Sequence, residues 1–228
     1  MQTDFRPKTL PLVIKNLIII NALVWLAQIT IGKNLVSMED LFALHHFSSE
    51  HYGFWQYFTY MFLHSSSSFF HILFNMFALW MFGSTLENLW GSGRFLLFYL
   101  VCGIGAGITQ GLALSYDMNQ YNALYQAGQI SADELQMLAN VPTLGASGAI
   151  MGIFAAFAYT FPNSQMIILP IPFPIKAKWA LLGLAVLDLI GGVSSESTGV
   201  AHFAHLGGAA VGIIIVIIWN RKNRNRFY

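Results

Sequence analysis

Charge is scarce in this sequence, and cysteine is nearly absent. Only 9% of the 228 residues are charged and 56% are hydrophobic, whereas a typical soluble domain carries about 25% charged residues. This deficit excludes an ordinary soluble domain and favours an integral membrane protein. The formal net charge of +1 is too small to suggest a nucleic-acid partner. The single cysteine, Cys102, cannot form an intramolecular disulfide and is predicted to be a small buried side chain.

Long apolar runs occupy most of the chain instead. A membrane-crossing helix needs about 20 mostly apolar residues. Six runs fit this description, at about 10–31, 69–89, 95–115, 147–162, 178–193 and 200–219. The first is long and is followed by further runs, so we expect a retained anchor rather than a signal peptide. The predicted fold class is an all-α membrane protein, a six-transmembrane-helix bundle that forms one domain over 1–228.

Basic residues fall almost wholly on one side of this arrangement. With six spans both termini share a side, and that side holds Arg6, Lys8, Lys15, Arg94, Lys176, Lys178, Arg221, Lys222, Arg224 and Arg226, against Lys33 alone on the other. The opposite side also holds the acidic residues Glu39, Asp40, Glu50, Asp117, Asp133, Glu134 and Glu196. The positive-inside rule therefore predicts cytoplasmic termini. The short N-terminus lacks an Arg- and Ser-rich transit peptide, which favours a bacterial plasma membrane.

Two long loops lie on the external side. The first, 32–68, contains "FWQYFTYMFLH", and aromatic side chains at this density are typical of the membrane interface. The second, 116–144, contains "ISADELQMLANVP". There Ser131 followed by Glu134 predicts a capping box and a short surface helix.

Few polar side chains lie inside the spans, and their cost in hydrocarbon makes each a candidate for function. His71 and Asn75 are four residues apart near the outer end of the second span, so they share a helix face. Ser147 begins the fourth span, and His205 lies about one turn into the sixth. Because these three spans run in the same direction, all four side chains fall in the outer half of the membrane. Three further polar residues in the spans are singled out as candidates: Glu87, Asp188 and His202.

Small residues surround the serine in "GASGAIMG" at 145–152, which is compatible with helix packing or with chemistry. Gly148 and Gly152 form a small-x-x-x-small pair on the fourth span. On the sixth span, His205, Gly208 and Gly212 fall on one helix face. Such glycine faces let two helices touch backbone to backbone. If they meet, Ser147 and His205 come within hydrogen-bond reach.

A serine next to a histidine at this depth predicts nucleophilic catalysis, with the imidazole accepting the hydroxyl proton. Ser147 at a helix N-terminus also lies among unpaired backbone N–H groups at the positive end of the helix dipole. A developing oxyanion could be held by these N–H groups, including that of Ser147, together with His71 and Asn75.

Other polar residues compete for these roles. His202 lies one turn before His205, about 60° around the helix, and the bulky His205 would hinder its approach, so His205 is favoured as the base and His202 as a supporting or gate residue. Asp188 could orient a histidine as in a triad, but solvation or a polar partner near the surface is the favoured interpretation. Glu87, at the inner end of its span, is expected to tie a cytoplasmic turn containing "GSGR".

Several motifs in order resemble those of the rhomboid intramembrane serine proteases. They are "HILFNMF" on the second span, a Glu followed by "GSG", "GASG" at the start of the fourth span and "AHLGGAAVG" on the sixth. The resemblance covers about 50 to 215. It implies a Ser–His dyad without a third acidic member, which cleaves membrane-anchored proteins in or near their transmembrane segments, often after a small residue. It also implies that no metal or other cofactor is needed and that water reaches the serine from the outside.

The resemblance assigns roles residue by residue. Ser147 matches the nucleophile of the family's G-x-S-G motif, in which Gly148 follows the serine. His205 matches the base, because the family's histidine is followed by glycine at the third position. His71 and Asn75 match the H-x-x-x-N pair that serves the oxyanion, and Glu87 matches a structural acid.

The sequence departs from the family at three places. Met151, one turn after Ser147, stands where the family often has Tyr or Phe stacked on the base, and a methionine orients an imidazole less firmly. Gln56 stands after Trp55 where an arginine is common. The spacing from His64 to His71 is slightly long, so His64 is a weak site assignment.

The sequence leaves other functions to be weighed. The main alternative is a non-catalytic rhomboid-like protein that binds client transmembrane helices, and retention of all four site residues speaks against it. A hydrolase nucleophile elbow would read G-x-S-x-G on a strand-to-helix turn, which this sequence lacks. A metal site at His45, His46 and His51 is less favoured than an interfacial loop. The expected partners are single-span or multi-span membrane proteins and the lipid bilayer.

Overall fold

The computed structural model describes residues 10–31, 37–167, 173–194 and 200–222, and these are mostly helical. In chain order the helices are α1 (Leu12–Thr30), α2 (Met38–Phe42), α3 (Gln56–Thr59), α4 (Phe69–Ala78), α5 (Ser84–Trp90), α6 (Ser92–Gln126), α7 (Ala132–Ala139), α8 (Ser147–Thr160), α9 (Ala177–Val193) and α10 (His202–Lys222). A 3₁₀ turn at Tyr60–Phe62 follows α3, and a π-helical turn at Leu79–Gly83 joins α4 to α5. Two short antiparallel strands, β1 (Gln165–Met166) and β2 (Ile175–Lys176), precede α9.

Among the described residues, four helical segments are long and apolar enough to cross a membrane: Leu12–Thr30, Phe69–Trp90, Ser92–Gln126 and His202–Arg221. The chain is therefore an integral, multi-pass membrane protein. These four correspond to the first, second, third and sixth predicted spans. The fourth predicted span corresponds to the shorter apolar helix α8, of 14 residues, and the fifth to α9, of 17.

The third span is longer than the sequence predicts. We expected it to end near 115, but α6 continues to Gln126 and has 35 residues. At about 1.5 Å per residue it is roughly 50 Å long, well beyond the ~30 Å of a hydrocarbon core. The two bounds differ because hydropathy marks the end of the apolar run, whereas polar helix-forming residues continue the helix. The capping box predicted in the loop after this span is confirmed, since Ser131 and Glu134 form it at the start of α7.

Helix α8 lies at the centre of the fold, between α6 and α10. Nine of its 14 residues are buried, and most of these are Gly or Ala. Small side chains let the neighbouring helices approach its backbone closely. A cluster of buried aromatic and aliphatic side chains, with Phe95, Phe98, Tyr99, Ile153 and Phe154 among them, packs around this centre.

Glu87 joins the start of α1 to the turn after α5. Its two carboxylate oxygens accept the backbone N–H groups of Val13 and Ile14, each at 2.9 Å, and Oε1 also accepts the Ser92 hydroxyl at 2.6 Å. The first-turn N–H groups of a helix lack partners within the helix, so the buried carboxylate caps α1. The prediction that Glu87 ties the "GSGR" turn is confirmed, while its contact with α1 was not anticipated.

The loop before α4 is built around Gln56, which is fully buried. Its amide nitrogen donates to the His51 carbonyl at 2.7 Å, and its amide oxygen accepts the His45 N–H at 3.1 Å. An amide at this position therefore holds the loop together. The aromatic side chains of the same loop that face outwards include Phe47, Phe54, Trp55 and Phe58.

Some residues that enter the predicted orientation lie outside the described residues. They are Arg6, Lys8, Lys33, Glu196, Arg224 and Arg226.

Candidate active site

A sharp backbone bend at Gly145 precedes α8 and places Ser147 at the first position of this helix. Gly145 has a φ of 128°, a conformation that side chains other than glycine rarely adopt. Its N–H donates to the Tyr60 carbonyl at 3.0 Å, which fixes the bend against the 3₁₀ turn. Helix α8 then begins at Ser147, so the backbone N–H groups of its first turn point out of the helix without an intrahelical partner.

The glycine faces of α8 and α10 meet, as their spacing predicted. A Cβ on Gly208 would collide with the Gly148 carbonyl, and one on Gly212 would collide with the Gly152 backbone. This close crossing allows no side chain between the two helices along that line. It places the first turn of α10 beside the first turn of α8.

The crossing brings Ser147 and His205 into a hydrogen bond. The distance between Ser147 Oγ and His205 Nε2 is 2.8 Å. Ser147 is half-buried and the His205 side chain is 18% exposed, so the pair is sheltered but not sealed from solvent. A hydroxyl that donates to an imidazole nitrogen is the arrangement that activates a serine for nucleophilic attack.

Asp188 lies on the other side of the His205 ring. Its Oδ1 is 3.0 Å from His205 Nδ1 and 2.8 Å from His202 Nδ1. The residue is 8% exposed and thus buried. Of the two interpretations favoured from the sequence, solvation of Asp188 is wrong because the residue is buried. The other, pairing with a polar group, is found, with His202 and His205 as the partners. The sequence did not identify these partners because hydropathy shows the depth of Asp188 but not which helix it packs against.

His202 contacts Asp188 rather than the serine. Its ring packs against Gly191, where a Cβ would collide with the imidazole. Of the two histidines on α10, His205 is the one whose ring reaches Ser147. Nothing in the sequence distinguishes Gly191 from the many other small residues of the spans.

His71 lies next to Gly145. Its Nδ1 accepts the Ser65 backbone N–H at 3.2 Å, so the proton of the neutral ring is on Nε2. A Cβ built on Gly145 would lie 3.0 Å from His71 Nε2 and 3.7 Å from Ser147 Oγ. The absence of a side chain on Gly145 therefore lets its backbone lie close to an N–H donor, with the Ser147 hydroxyl nearby.

Asn75 lies one turn below His71 on α4 and is buried. Its amide nitrogen donates to the His71 carbonyl at 2.8 Å. The two residues share a helix face, as predicted, and the shortest hydrogen bond of Asn75 joins it to its own helix. Asn75 thus contacts His71, while His71 borders the serine.

The remaining candidates lie around this centre. Gly148 is buried against Ala106 and the Ala204 carbonyl, and Met151 packs against the hydrophobic core. His64 is buried, and its ring meets that of His71 edge to face at 5.2 Å. Burial, with a smaller effect from His71, lowers the pKa of His64 to about 3, so its imidazole is neutral at physiological pH.

The three histidines of the first loop are held by the loop itself. The His45 and His51 rings are 5.5 Å apart, and His46 Nδ1 lies 2.7 Å from the Ser48 hydroxyl. In the part of the chain that the structure describes, no group of three or more His, Cys, Asp or Glu side chains is arranged to hold a metal ion.

Known proteins resemble this chain in sequence. The Rhomboid domain family matches residues 51–222. The rhomboid protease AarA of Providencia stuartii is 32% identical over 216 residues, which cover 89% of this chain and 70% of that protein. The mitochondrial rhomboid protein 1 of Saccharomyces cerevisiae is 30% identical over 66% of this chain, and the mitochondrial presenilin-associated rhomboid-like protein of Homo sapiens is 32% identical over 70% of it. This chain covers 38% of the length of each of these two mitochondrial relatives.

Proposed function

This chain belongs to the rhomboid family, and from that premise we propose that it is a serine endopeptidase that cleaves membrane-anchored proteins in or near their transmembrane segments. The observation that carries the proposal is the 2.8 Å contact between Ser147 Oγ and His205 Nε2. It lies where two glycine faces cross, which fixes both side chains on rigid helices. The relative from Providencia stuartii, named as a protease, aligns with 89% of this chain.

The first half of the reaction uses the serine and the histidine. Ser147 Oγ attacks the carbonyl carbon of the scissile peptide bond while its proton passes to His205 Nε2. The resulting tetrahedral intermediate carries a negative charge on the former carbonyl oxygen. When it collapses, the C–N bond breaks, His205 returns the proton to the leaving amine, and an acyl-enzyme ester remains on Ser147.

The negative charge of the intermediate is stabilised beside Gly145. His71 Nε2–H lies close to Gly145, and the unpaired backbone N–H groups at the start of α8, including that of Ser147, follow it in the chain. Donors already in place cost no reorganisation when the charge develops. Asn75 supports this set by its hydrogen bond to the His71 carbonyl.

Water completes the reaction. It attacks the acyl carbon as His205 removes one of its protons. The ester bond to Ser147 then breaks, His205 returns that proton to Ser147 Oγ, and the carboxylic acid leaves. This cycle involves no redox step, and the two cleavage products are its only leaving groups. The residues named therefore suffice for peptide hydrolysis.

The proposal includes six membrane crossings with both termini in the cytoplasm. Helix α8 is only about 21 Å long at ~1.5 Å per residue, shorter than a ~30 Å hydrocarbon core. A helix surrounded by protein does not need to span the full hydrocarbon core. Because α8 is short, Ser147 at its outer end then lies below the membrane surface. The basic residues Lys15, Arg94, Lys176, Lys178 and Arg221 fall at the opposite, inner end of the bundle.

For localisation we propose a bacterial plasma membrane, with the site open to the extracytoplasmic side. The bacterial relative aligns over 89% of this chain, against 66% and 70% for the yeast and human mitochondrial relatives.

Cleavage of a defined substrate tests this function. The purified full-length chain is reconstituted in liposomes with a protein that has one transmembrane segment and small residues near its outer end. We expect a single cut in or near that segment. Ser147→Ala and His205→Ala should each lower the rate by at least about 10³-fold, because each removes one partner of the nucleophilic pair.

Ser115→Ala is the matched control for this experiment. The Ser115 hydroxyl donates to the Gly111 carbonyl within α6, away from the site, so this variant should keep full activity. Cleavage that persists in Ser147→Ala would exclude the proposed nucleophile. Stable binding of the intact substrate by a folded wild type, without any cut, would favour the client-binding alternative.

A further inference from the structure

One carboxylate oxygen in the outer half of the bundle is shared by two imidazole rings. Asp188 Oδ1 lies 2.8 Å from His202 Nδ1 and 3.0 Å from His205 Nδ1. The side chains of Asp188, His202 and His205 are between 11% and 18% exposed. We propose that Asp188 is a positioning residue that holds His205 for proton transfer, and that His202 holds Asp188 in place. The inference rests on the proposed function, since His205 must be the base.

Hydrogen-bond chemistry fixes the proton positions in this cluster. An ionised carboxylate only accepts hydrogen bonds. The two Nδ1 atoms that face Asp188 Oδ1 must therefore both carry hydrogen. In the neutral His205 ring this leaves the lone pair on Nε2, the atom that lies 2.8 Å from Ser147 Oγ. Asp188 thus selects the tautomer of His205 that can accept the serine proton.

The same contact acts after the proton has moved. When His205 becomes an imidazolium, its positive charge lies 3.0 Å from a buried carboxylate oxygen. Attraction between opposite charges is stronger in a sheltered site than in water. The proton stays on the imidazole, and Asp188 acts by orientation and by charge, as the acid of a serine-hydrolase triad does.

The contact with His202 explains how Asp188 Oδ1 is kept beside the ring of His205, the proposed base. It lies one turn before His205 on α10, and Gly191 on α9 leaves space for its ring. The second N–H then restrains Asp188 from a direction different from that of His205. Because His202 does not reach the serine, its effect on the reaction is transmitted through Asp188.

Asp188→Asn tests the inference with almost no change in size. The amide can present its NH₂ group to His205 Nδ1, which favours the tautomer with hydrogen on Nε2 and removes the acceptor for the serine proton. With the full-length protein in liposomes we expect kcat to fall by about 10²- to 10⁴-fold, while KM changes little because Asp188 does not touch the substrate. Asp117→Asn, the same chemical change at an exposed position on α6, should leave both constants unchanged.

Two further measurements separate positioning from a purely structural role. Nitrogen-15 NMR of the histidine rings should show His205 protonated at Nδ1 in the wild type and at Nε2 in Asp188→Asn. Asp188→Glu keeps a carboxylate and should retain a higher kcat than Asp188→Asn. His202→Ala, which leaves the pair of Asp188 and His205 intact, should be milder than Asp188→Asn.

The outcomes distinguish this inference from the proposed function. Wild-type kcat in Asp188→Asn, together with inactive Ser147→Ala and His205→Ala, overturns the role of Asp188 and leaves the protease intact. Equal kcat in Asp188→Asn and Asp188→Glu also overturns it, because only one of them keeps the carboxylate. Activity that survives Ser147→Ala overturns the proposed function itself.

Discussion

At the scale of single residues, two hydrogen bonds decide which ring nitrogens carry protons at the candidate site. Asp188 requires a proton on His205 Nδ1, and Ser65 N–H requires a lone pair on His71 Nδ1. His205 therefore presents an acceptor to Ser147, whereas His71 presents a donor beside Gly145. Two histidines with opposite tautomers thus flank one hydroxyl, and this difference suits one to a base and the other to an oxyanion donor.

His71→Ala tests the second of these roles. Loss of one oxyanion donor lowers kcat by about 10²- to 10³-fold in other serine hydrolases, and we expect a loss of that order here. Asn75→Ala should cost less, because Asn75 contacts the His71 carbonyl while the His71 ring itself lies beside Gly145. Steady-state cleavage kinetics measure both, with thermal unfolding as the control for folding. A larger loss in Asn75→Ala than in His71→Ala would contradict this assignment.

The sequence indicates part of this site and hides the rest. Ser147 and His205 could be brought together from glycine spacing alone, because helix periodicity places each on a glycine face. Asp188 could not be assigned in the same way. Its two contacts depend on the packing of α9 against the first turn of α10, and no periodic pattern specifies that. The catalytic roles of Ser147, His205, His71 and Asn75 stay predictions from their chemistry.

At the scale of helices, the crossing of α8 and α10 sets the geometry of the site. The two backbones touch at Gly148 and Gly208 and again at Gly152 and Gly212. Contact at two points one turn apart fixes both the distance between the helices and their rotation. The hydrogen bond between Ser147 and His205 lies at the outer end of this contact, so it depends on the glycines below it.

Gly208→Ala tests the crossing. The added Cβ collides with the Gly148 carbonyl, which no flexible side chain can relieve. Overpacking of this kind costs about 1–3 kcal/mol, and the forced separation should also weaken the bond between Ser147 and His205. We expect a lower unfolding temperature in detergent and a lower kcat in the protein that remains folded.

Gly183→Ala is the matched control on α9. No atom lies within 4 Å of a Cβ at this position, and alanine is favoured over glycine in a helix by about 1 kcal/mol. This variant should keep full activity and unfold at the same or a slightly higher temperature. Equal effects of Gly208→Ala and Gly183→Ala would show that the glycine crossing does not determine the site.

Helix boundaries could be predicted where the residues that set them lie close together in the sequence. The capping box of Ser131 and Glu134 was found because both partners lie within one turn. Helix α6 continues eleven residues beyond the predicted span because its continuation is mostly polar and exposed, and hydropathy reports only the buried or lipid-facing part. Hydropathy therefore predicts where a helix crosses the membrane better than it predicts where that helix ends.

At the scale of the whole molecule, the account requires the active site to open on the side opposite the basic residues. Helix α7 is exposed on the same side as the loop before α4, since Asn140 bonds both Ser49 and Glu50. The turn at Gly91 and Arg94 lies at the other end of the bundle. The proposed orientation places α7 outside the cell and this turn in the cytoplasm.

Cysteine labelling tests that orientation. The native Cys102 is fully buried, so it should give little background. In intact bacterial cells, a membrane-impermeant maleimide should label Asp133→Cys on α7 and should not label Gly93→Cys after α5, while both should react after permeabilisation. Labelling of Gly93→Cys alone in intact cells would invert the proposed orientation.

The most direct test of the central claim is covalent labelling of the serine. Purified wild type, Ser147→Ala and His205→Ala are treated with a fluorophosphonate, and the modified residue is identified by mass spectrometry. The account predicts a phosphonyl adduct on Ser147 in the wild type and none in either variant, because the hydroxyl is reactive only when His205 accepts its proton. A folded wild type that stays unlabelled, or His205→Ala labelled as fast as the wild type, would contradict it.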